Sequence, residues 1–424
     1  MTSTTTRQTS NPTIDEIHDT FYEFRAGGLA YDAFARFRTS TPTTLFESKQ
    51  IVSEQDLLWD HGQVSGAGGT FVYSRPRASS TLTQAALSTG RYVRRTRRYF
   101  NYQPGKGQFI LMSAILGNKQ AGIHRRIGYF DEDNGIYFGV NEISLFCAVR
   151  SSVTGVPIDV EFHQADWNVD KLDGTGRSGY VLDTSVAQIY WFDFEWLGVG
   201  RVRWGVFIDG IPVLMHEMSF ANHPLATSVY MSTPALPMSV EIENDGTGEE
   251  SSVETICNAI ISEGGERLQG VARSVSRGVN IIQVSNPNFV PILSLRAREQ
   301  FQFTTINILN IDIICLSNQS TRWALILNPT FAGTDGAVWT PVPSSTAEFD
   351  ITRTQALTIT SGTIIDEGYV SQQGRQFSAK VESFLGLGKR LLPTSPRDQF
   401  VLAVQPLAGN NIQYLAAMQY EEST

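Results

Sequence analysis

Residues 188–216 decide the fold class. They read Gln188-Ile-Tyr-Trp-Phe-Asp-Phe-Glu-Trp196, Leu197-Gly-Val-Gly200, Arg201-Val-Arg-Trp-Gly-Val-Phe-Ile208, Asp209-Gly210 and Ile211-Pro-Val-Leu-Met-His216. In the first segment Tyr190, Phe192, Phe194 and Trp196 fall at even positions, while Asp193 and Glu195 fall between them. A period of two is strand periodicity. The second segment repeats it, with Val202, Trp204, Val206 and Ile208 on one face and Arg201 and Arg203 on the other. A three-residue loop at Gly198-Val199-Gly200 sets Phe194 opposite Trp204 and Glu195 opposite Arg203. Asp209-Gly210 is a two-residue turn of primed type, which returns the chain with Ile211, Val213 and Met215 beneath Ile208, Val206 and Trp204. The expectation is a three-stranded meander with one apolar face, the inner wall of a sandwich or barrel.

The rest of the chain agrees with an all-β class. At 424 residues it exceeds one ordinary core. Hydrophobic residues make up 41%, enough for large cores, but charged residues make up only 18%, below the roughly 25% of typical soluble domains. The net charge of -9 argues against general nucleic-acid binding. The three cysteines, Cys147, Cys257 and Cys315, form no Cys-x-x-Cys pair and read as buried free thiols. The amino terminus lacks an apolar signal core, and no run of about 18 apolar residues occurs, so synthesis in the cytoplasm without membrane insertion is expected.

Residues 1–12 are a polar Ser/Thr-rich tail. Residues 14–37 have room for one short helix interrupted by Gly27-Gly28. Residues 33–50 hold too few consecutive apolar positions for a core strand and read as an extended arm that needs another surface, with Phe34, Phe37, Leu45 and Phe46 as anchors. From Leu45 to Ile261 short apolar segments alternate with turns such as Pro104-Gly105 and Asn134-Gly135. After a Gly/Glu-rich break, eight further strands are expected, at 281–284, 290–295, 304–316, 323–327, 349–352, 358–365, 400–404 and 412–418. A helical turn is expected at 381–385. The reading is therefore an all-β protein of two β-sandwich, jelly-roll-like domains with an extended amino-terminal arm: arm 1–44, first sandwich 45–262, linker 263–278 and second sandwich 279–424.

Several motifs invite chemistry. Gly174-Thr-Gly-Arg-Ser-Gly179 spells G-x-G-x-x-G, but dinucleotide binding needs a buried strand before the glycines and a helix after them, and neither is present. Asp166, Asp170 and Asp173 are close enough to gather calcium. Their spacing departs from the EF-hand loop and Lys171 intrudes, so turn-capping carboxylates are the expectation. Arg91, Arg94, Arg95, Arg97 and Arg98 alternate with aromatics as in nucleic-acid binders. A strand sends Arg94 and Arg98 to one face and Arg91, Arg95 and Arg97 to the other, so pairing with carboxylates, within the chain or between subunits, is expected instead. The six histidines form no H-x-H or H-E-x-x-H, and no G-x-S-x-G elbow occurs. No enzyme activity, metal or cofactor is expected. Trp339, in Gly336-Ala-Val-Trp-Thr-Pro-Val-Pro343, is a candidate for stacking on a sugar or for covering its own core.

Blocks of the first 250 residues resemble a family of virion proteins from tailed phages and other large DNA viruses. They are Ala33–Gln50, Tyr99-Phe-Asn-Tyr-Gln-Pro-Gly-Lys106, Arg126-Ile-Gly-Tyr-Phe-Asp131, Trp167–Gly179, Phe194–Gly200 and Tyr230-Met-Ser-Thr-Pro234. The resemblance implies a non-enzymatic structural protein of a tail, baseplate, collar or fibre-attachment site. Such a protein forms a homo-oligomer and contacts other virion proteins. The candidate interface residues, from the reading of the arm and of the arginine run, are Phe34, Phe37, Phe46, Arg94, Arg95 and Arg97. Alternatives are a capsid decoration or vertex protein, an adhesin binding host-surface glycan through loops such as that of Trp339, and a glycan-cleaving tail enzyme.

Overall fold

In the computed structural model the described residues are 41–222, 227–264, 270–301, 303–371, 376–380, 387, 390–391 and 396–423. Phe34 and Phe37, the expected short helix, His223 and the expected turn at 381–385 lie outside them. Among the described residues nearly all regular structure is antiparallel strand, arranged as four sheets around two hydrophobic cores.

The first sandwich faces an eight-stranded sheet against a seven-stranded one. The eight-stranded sheet runs in the order Ile211–Ser219, Arg201–Ile208, Gln188–Phe194, Gln108–Ile115, Ser251–Glu263, Ser79–Gln84 and Gly69–Ser74, with Pro42–Ser48 also pairing Ser251–Glu263. The seven-stranded sheet runs Ile158–His163, Leu145–Ser151, Gly135–Val140, Ile123–Phe130, Met238–Asp245, Thr89–Thr96 and Trp59–Gly66. Their inner faces meet through Tyr190, Phe192, Phe194 and Trp204 from one side and Ile127, Phe138, Val240 and Ile242 from the other, all fully buried.

The meander forms, with two corrections. The observed register sets Phe192 opposite Trp204 and Asp193 opposite Arg203, two residues from that expected. The reason is the loop. The strand stops at Phe194, Glu195 donates its N–H to the Arg201 carbonyl, and Gly200 donates to the Trp196 carbonyl at 2.7 Å. Five residues therefore make the turn, with Leu197 and Gly198 at positive φ. Because the slip is two and not one, every side chain keeps its expected face. At the second turn Ile208 pairs Ile211 and Val206 pairs Val213, with Asp209 at φ 52° and Gly210 at φ 77°, as a primed turn requires. A bulge after Trp204 then brings His216, not Met215, opposite that residue.

The second sandwich packs a five-stranded sheet, Val271–Ser276, Ile412–Ser423, Thr305–Cys315 and Gln376–Lys380 with Ile282–Val284 alongside, on a six-stranded sheet. The latter runs Thr340–Pro341, Ala347–Asp350, Val290–Ala297, Gln399–Pro406, Thr321–Ala332 and Thr358–Val370. All eight expected strands are present within a few residues. Three were missed: Gln376–Lys380, the two-residue Thr340–Pro341, and Val271–Ser276, which falls within the expected linker and is instead paired with the last strand. The arm's end is corrected similarly. Pro42–Ser48 is a strand of the first sandwich, where Phe46 packs on Trp59 and Phe100. Cys147 and Cys315 are buried, but Cys257 is exposed.

Candidate functional site

Two places concentrate polar chemistry. The first is the outer face of the seven-stranded sheet. Glu241 pairs there with Arg91 at 2.9 Å and with Arg126, which also reaches Glu243 at 2.8 Å. Two strands beyond that of Arg126, Arg150 holds Asp159 through two bonds of 2.8 and 2.9 Å. Phe130, Tyr137, Phe146 and Ala148 pack between these pairs. Glu241 has no exposed surface. Burial pushes its carboxyl up, but the guanidiniums of Arg126, Arg91 and Arg150 outweigh burial and hold it below the ordinary value. The sequence signal for this face is the alternation Glu241-Ile-Glu243-Asn-Asp245, which puts Glu241 and Glu243 on one face of a strand but does not name the arginines opposite them.

The second is a cleft of about 340 Å³ between the two sandwiches. Its floor is the tight turn between Ile123–Phe130 and Gly135–Val140. Asp131 Oδ1 accepts the N–H groups of Asp133 and Asn134 at 2.9 Å each, and Asp131 Oδ2 accepts the Tyr99 hydroxyl at 3.1 Å. Asn134 then ties down two more loops. Its Oδ1 accepts the Ser232 N–H at 2.9 Å, and its Nδ2 donates to Ser152 Oγ at 3.2 Å. Opposite stand Glu299, Gln300 and the 40% exposed Phe303 of the second sandwich. Three of the blocks carrying the virion resemblance meet here, through Tyr99, Asp131 and Ser232.

Arg94, Arg95 and Arg97 each find partners within the chain, the intrachain form of the expected pairing. Arg94 is fully buried, with its guanidinium 4.7 Å from the centre of the Trp59 ring, and bonded to Gln50 Oε1 and the Glu54 carbonyl at 2.6 Å. Burial lowers its pKa to about 9. Arg95 lies on the opposite face, bonded to both oxygens of Glu132. Arg97 reaches Asp398 of the second sandwich at 3.5 Å, and Arg390 reaches back to Asp60 at 3.1 Å, so these charges join the two sandwiches. Trp339 is half-buried under Arg296, whose guanidinium is 3.8 Å from its ring centre, with Arg353 at 5.4 Å. The glycine-rich run 174–179 is a loop braced by Asp170, which accepts the N–H groups of Leu172 and Ser178. Among the described residues no three His, Cys, Asp or Glu side chains are placed to hold a metal ion.

No family model matches the chain, and no curated protein matches it. Solved structures similar to it include the legume lectin-like domain from Entamoeba histolytica, at 8% identity over 51% of this chain and 95% of that one, with a TM-score of 0.31. Another is the CBM2 module of the evolved Dit of Lactobacillus casei BL23 phage J-1, at 7% identity over 52% and 96%, with a TM-score of 0.34. A third is a glycosyl hydrolase family protein from Mycobacterium fortuitum, at 9% identity over 51% and 99%, with a TM-score of 0.31.

Proposed function

We propose that the chain is a non-catalytic, glycan-recognising protein carried on a virus particle, with the cleft between its sandwiches as the sugar site. The observation that supports this reading is the cleft lining. Its floor is fixed in advance by the hydrogen-bonded turn at Asp131–Asn134, the side chains of Asp133, Ser232 and Thr233 line it with polar groups, and the exposed ring of Phe303 offers an apolar face. Preorganised polar groups beside an aromatic surface suit a ligand that is polyhydroxylated at its edges and apolar on its ring faces. The volume is at the small end of ligand pockets and suits one or two sugar units.

Binding is favoured over cleavage by the state of the carboxylates. Glu241 and Glu243 stand two residues apart on one strand, roughly 7 Å by strand rise, a spacing an inverting glycosidase uses. Both are occupied by Arg126, and Glu241 is inaccessible. A general acid needs a raised pKa, and that of Glu241 is lowered. The virion setting rests on the sequence resemblance, and proteomics of purified particles checks it.

Titrating the intact protein with a panel of host-surface glycans tests the site. At least one glycan is expected to bind, and Phe303→Ala or Asn134→Ala to weaken it tenfold or more, equivalent to about 1.4 kcal/mol. Absence of binding across the panel, or equal binding by both variants, overturns the proposal. Loss on Trp339→Ala with the cleft variants unaffected moves the site to the second sandwich.

A further inference from the structure

The eight-stranded sheet of the first sandwich has a second apolar face, directed away from the core. Trp191 and Leu214 are buried on it, Phe109, Leu111, Val169 and Phe207 pack around them half-exposed, and Ile189 at the margin is 45% exposed. An antiparallel sheet commonly solvates its outer face, so an aromatic-centred cluster there requires a reason.

The chain itself supplies a matching segment. Forty residues precede Thr41, and the chain enters the described structure at the border of this face. Thr44 pairs Ile261 and Ile261 pairs Phe109, so the entry strand is two strand spacings, about 10 Å, from the cluster. Residues 21–37 carry Phe21, Tyr22, Phe24, Tyr31, Phe34 and Phe37, six aromatics in a segment with no strand alternation of its own. Phe37 is five residues before Pro42, and at about 3.4 Å per residue the chain between them reaches roughly 17 Å. That reach covers Phe109 and Leu111 without leaving the protomer.

We propose that residues 21–37 dock in cis on the outer face of the eight-stranded sheet and cover the Trp191 cluster. The surface is thus a cradle for the chain's own arm.

The test uses the full-length chain with Cys257→Ser, to remove the exposed thiol, and the pair Phe37→Cys and Leu111→Cys. Mild oxidation is expected to form an intramolecular disulfide, seen as a faster monomer band under non-reducing electrophoresis that reduction reverses. In parallel, deleting residues 1–40 is expected to raise the fluorescence of an apolar dye severalfold while the far-ultraviolet circular dichroism stays that of a β protein. A disulfide-linked dimer would show that the arm belongs to a second copy and overturns docking in cis. No disulfide, together with unchanged dye binding after deletion, overturns the cradle altogether. If the deletion fails to fold, Phe34→Ser with Phe37→Ser replaces it, with the same dye readout and the same two outcomes.

Discussion

Trp191 stands directly across from Gly205 on the neighbouring strand, and its indole lies so close over the glycine backbone that a Cβ at Gly205 would fall within the ring. The indole N–H donates to the Val206 carbonyl at 3.3 Å, which fixes the ring in that position. The pair explains how the largest side chain on the outer face becomes almost fully buried without a second sheet above it.

Gly205→Ala is accordingly expected to displace Trp191 and to destabilise the first sandwich by about 1–3 kcal/mol, the usual cost of overpacking. Urea unfolding followed by tryptophan fluorescence measures it. An unchanged midpoint contradicts the contact.

Trp204 occupies the opposite, inner face, fully buried, with its indole N–H donating to the Tyr137 carbonyl at 3.1 Å. Trp204→Ala should cost about 3–5 kcal/mol. A circular-dichroism melt superimposable on that of the parent chain would refute this placement.

Glu241 is a fully buried carboxylate shared by Arg91 and Arg126. Glu241→Ala leaves Arg126 and Arg91 without their shared buried partner and is expected to cost about 3–5 kcal/mol, whereas the double change Glu241→Leu with Arg126→Met should recover a large part of that loss. Denaturant titrations of the single and double variants give the comparison. Equal losses would mean the pair is not coupled. For the same reason, replacing Arg94, Arg95 and Arg97 by Ala should impair folding of the isolated chain and not only its assembly.

His216 makes stability depend on pH. It is wedged between Phe162 and Trp204, with ring centres 4.6 and 5.7 Å away, and its Nδ1 accepts the Asn168 N–H at 3.3 Å. Burial lowers its pKa to about 4 against an ordinary 6.5. The unfolded chain therefore binds the extra proton first as pH falls, so the stability held above pH 6.5 declines between 6.5 and 4. His216→Phe should flatten that part of the curve. Persistence of the full slope in the variant would assign it to other groups.

The sequence by itself determined the class of the protein and the facing of its strands. Tyr190, Phe192 and Phe194, and Val202, Trp204 and Val206, recur at every second position of their segments, and a period of two can satisfy only a sheet with a buried face. Asp209-Gly210 likewise fixed its own turn, because positive φ at two successive positions is a local requirement. The Gly198 loop was misjudged because its length depends on Glu195, whose fully buried position is set by neighbours distant in sequence. Pro42–Ser48 and Val271–Ser276 were read as arm and linker since each gains its partner only from a strand far along the chain, Ser251–Glu263 and Ile412–Ser423. The candidate site was still less legible. Tyr99, Asp131, Ser232 and Phe303 carry no common motif, and only the docking of one sandwich against the other brings them to a single cleft. Periodicity is a local property that each strand carries in its own residues, whereas register, edge pairing and the meeting of distant loops are set by long-range contacts that no short window contains.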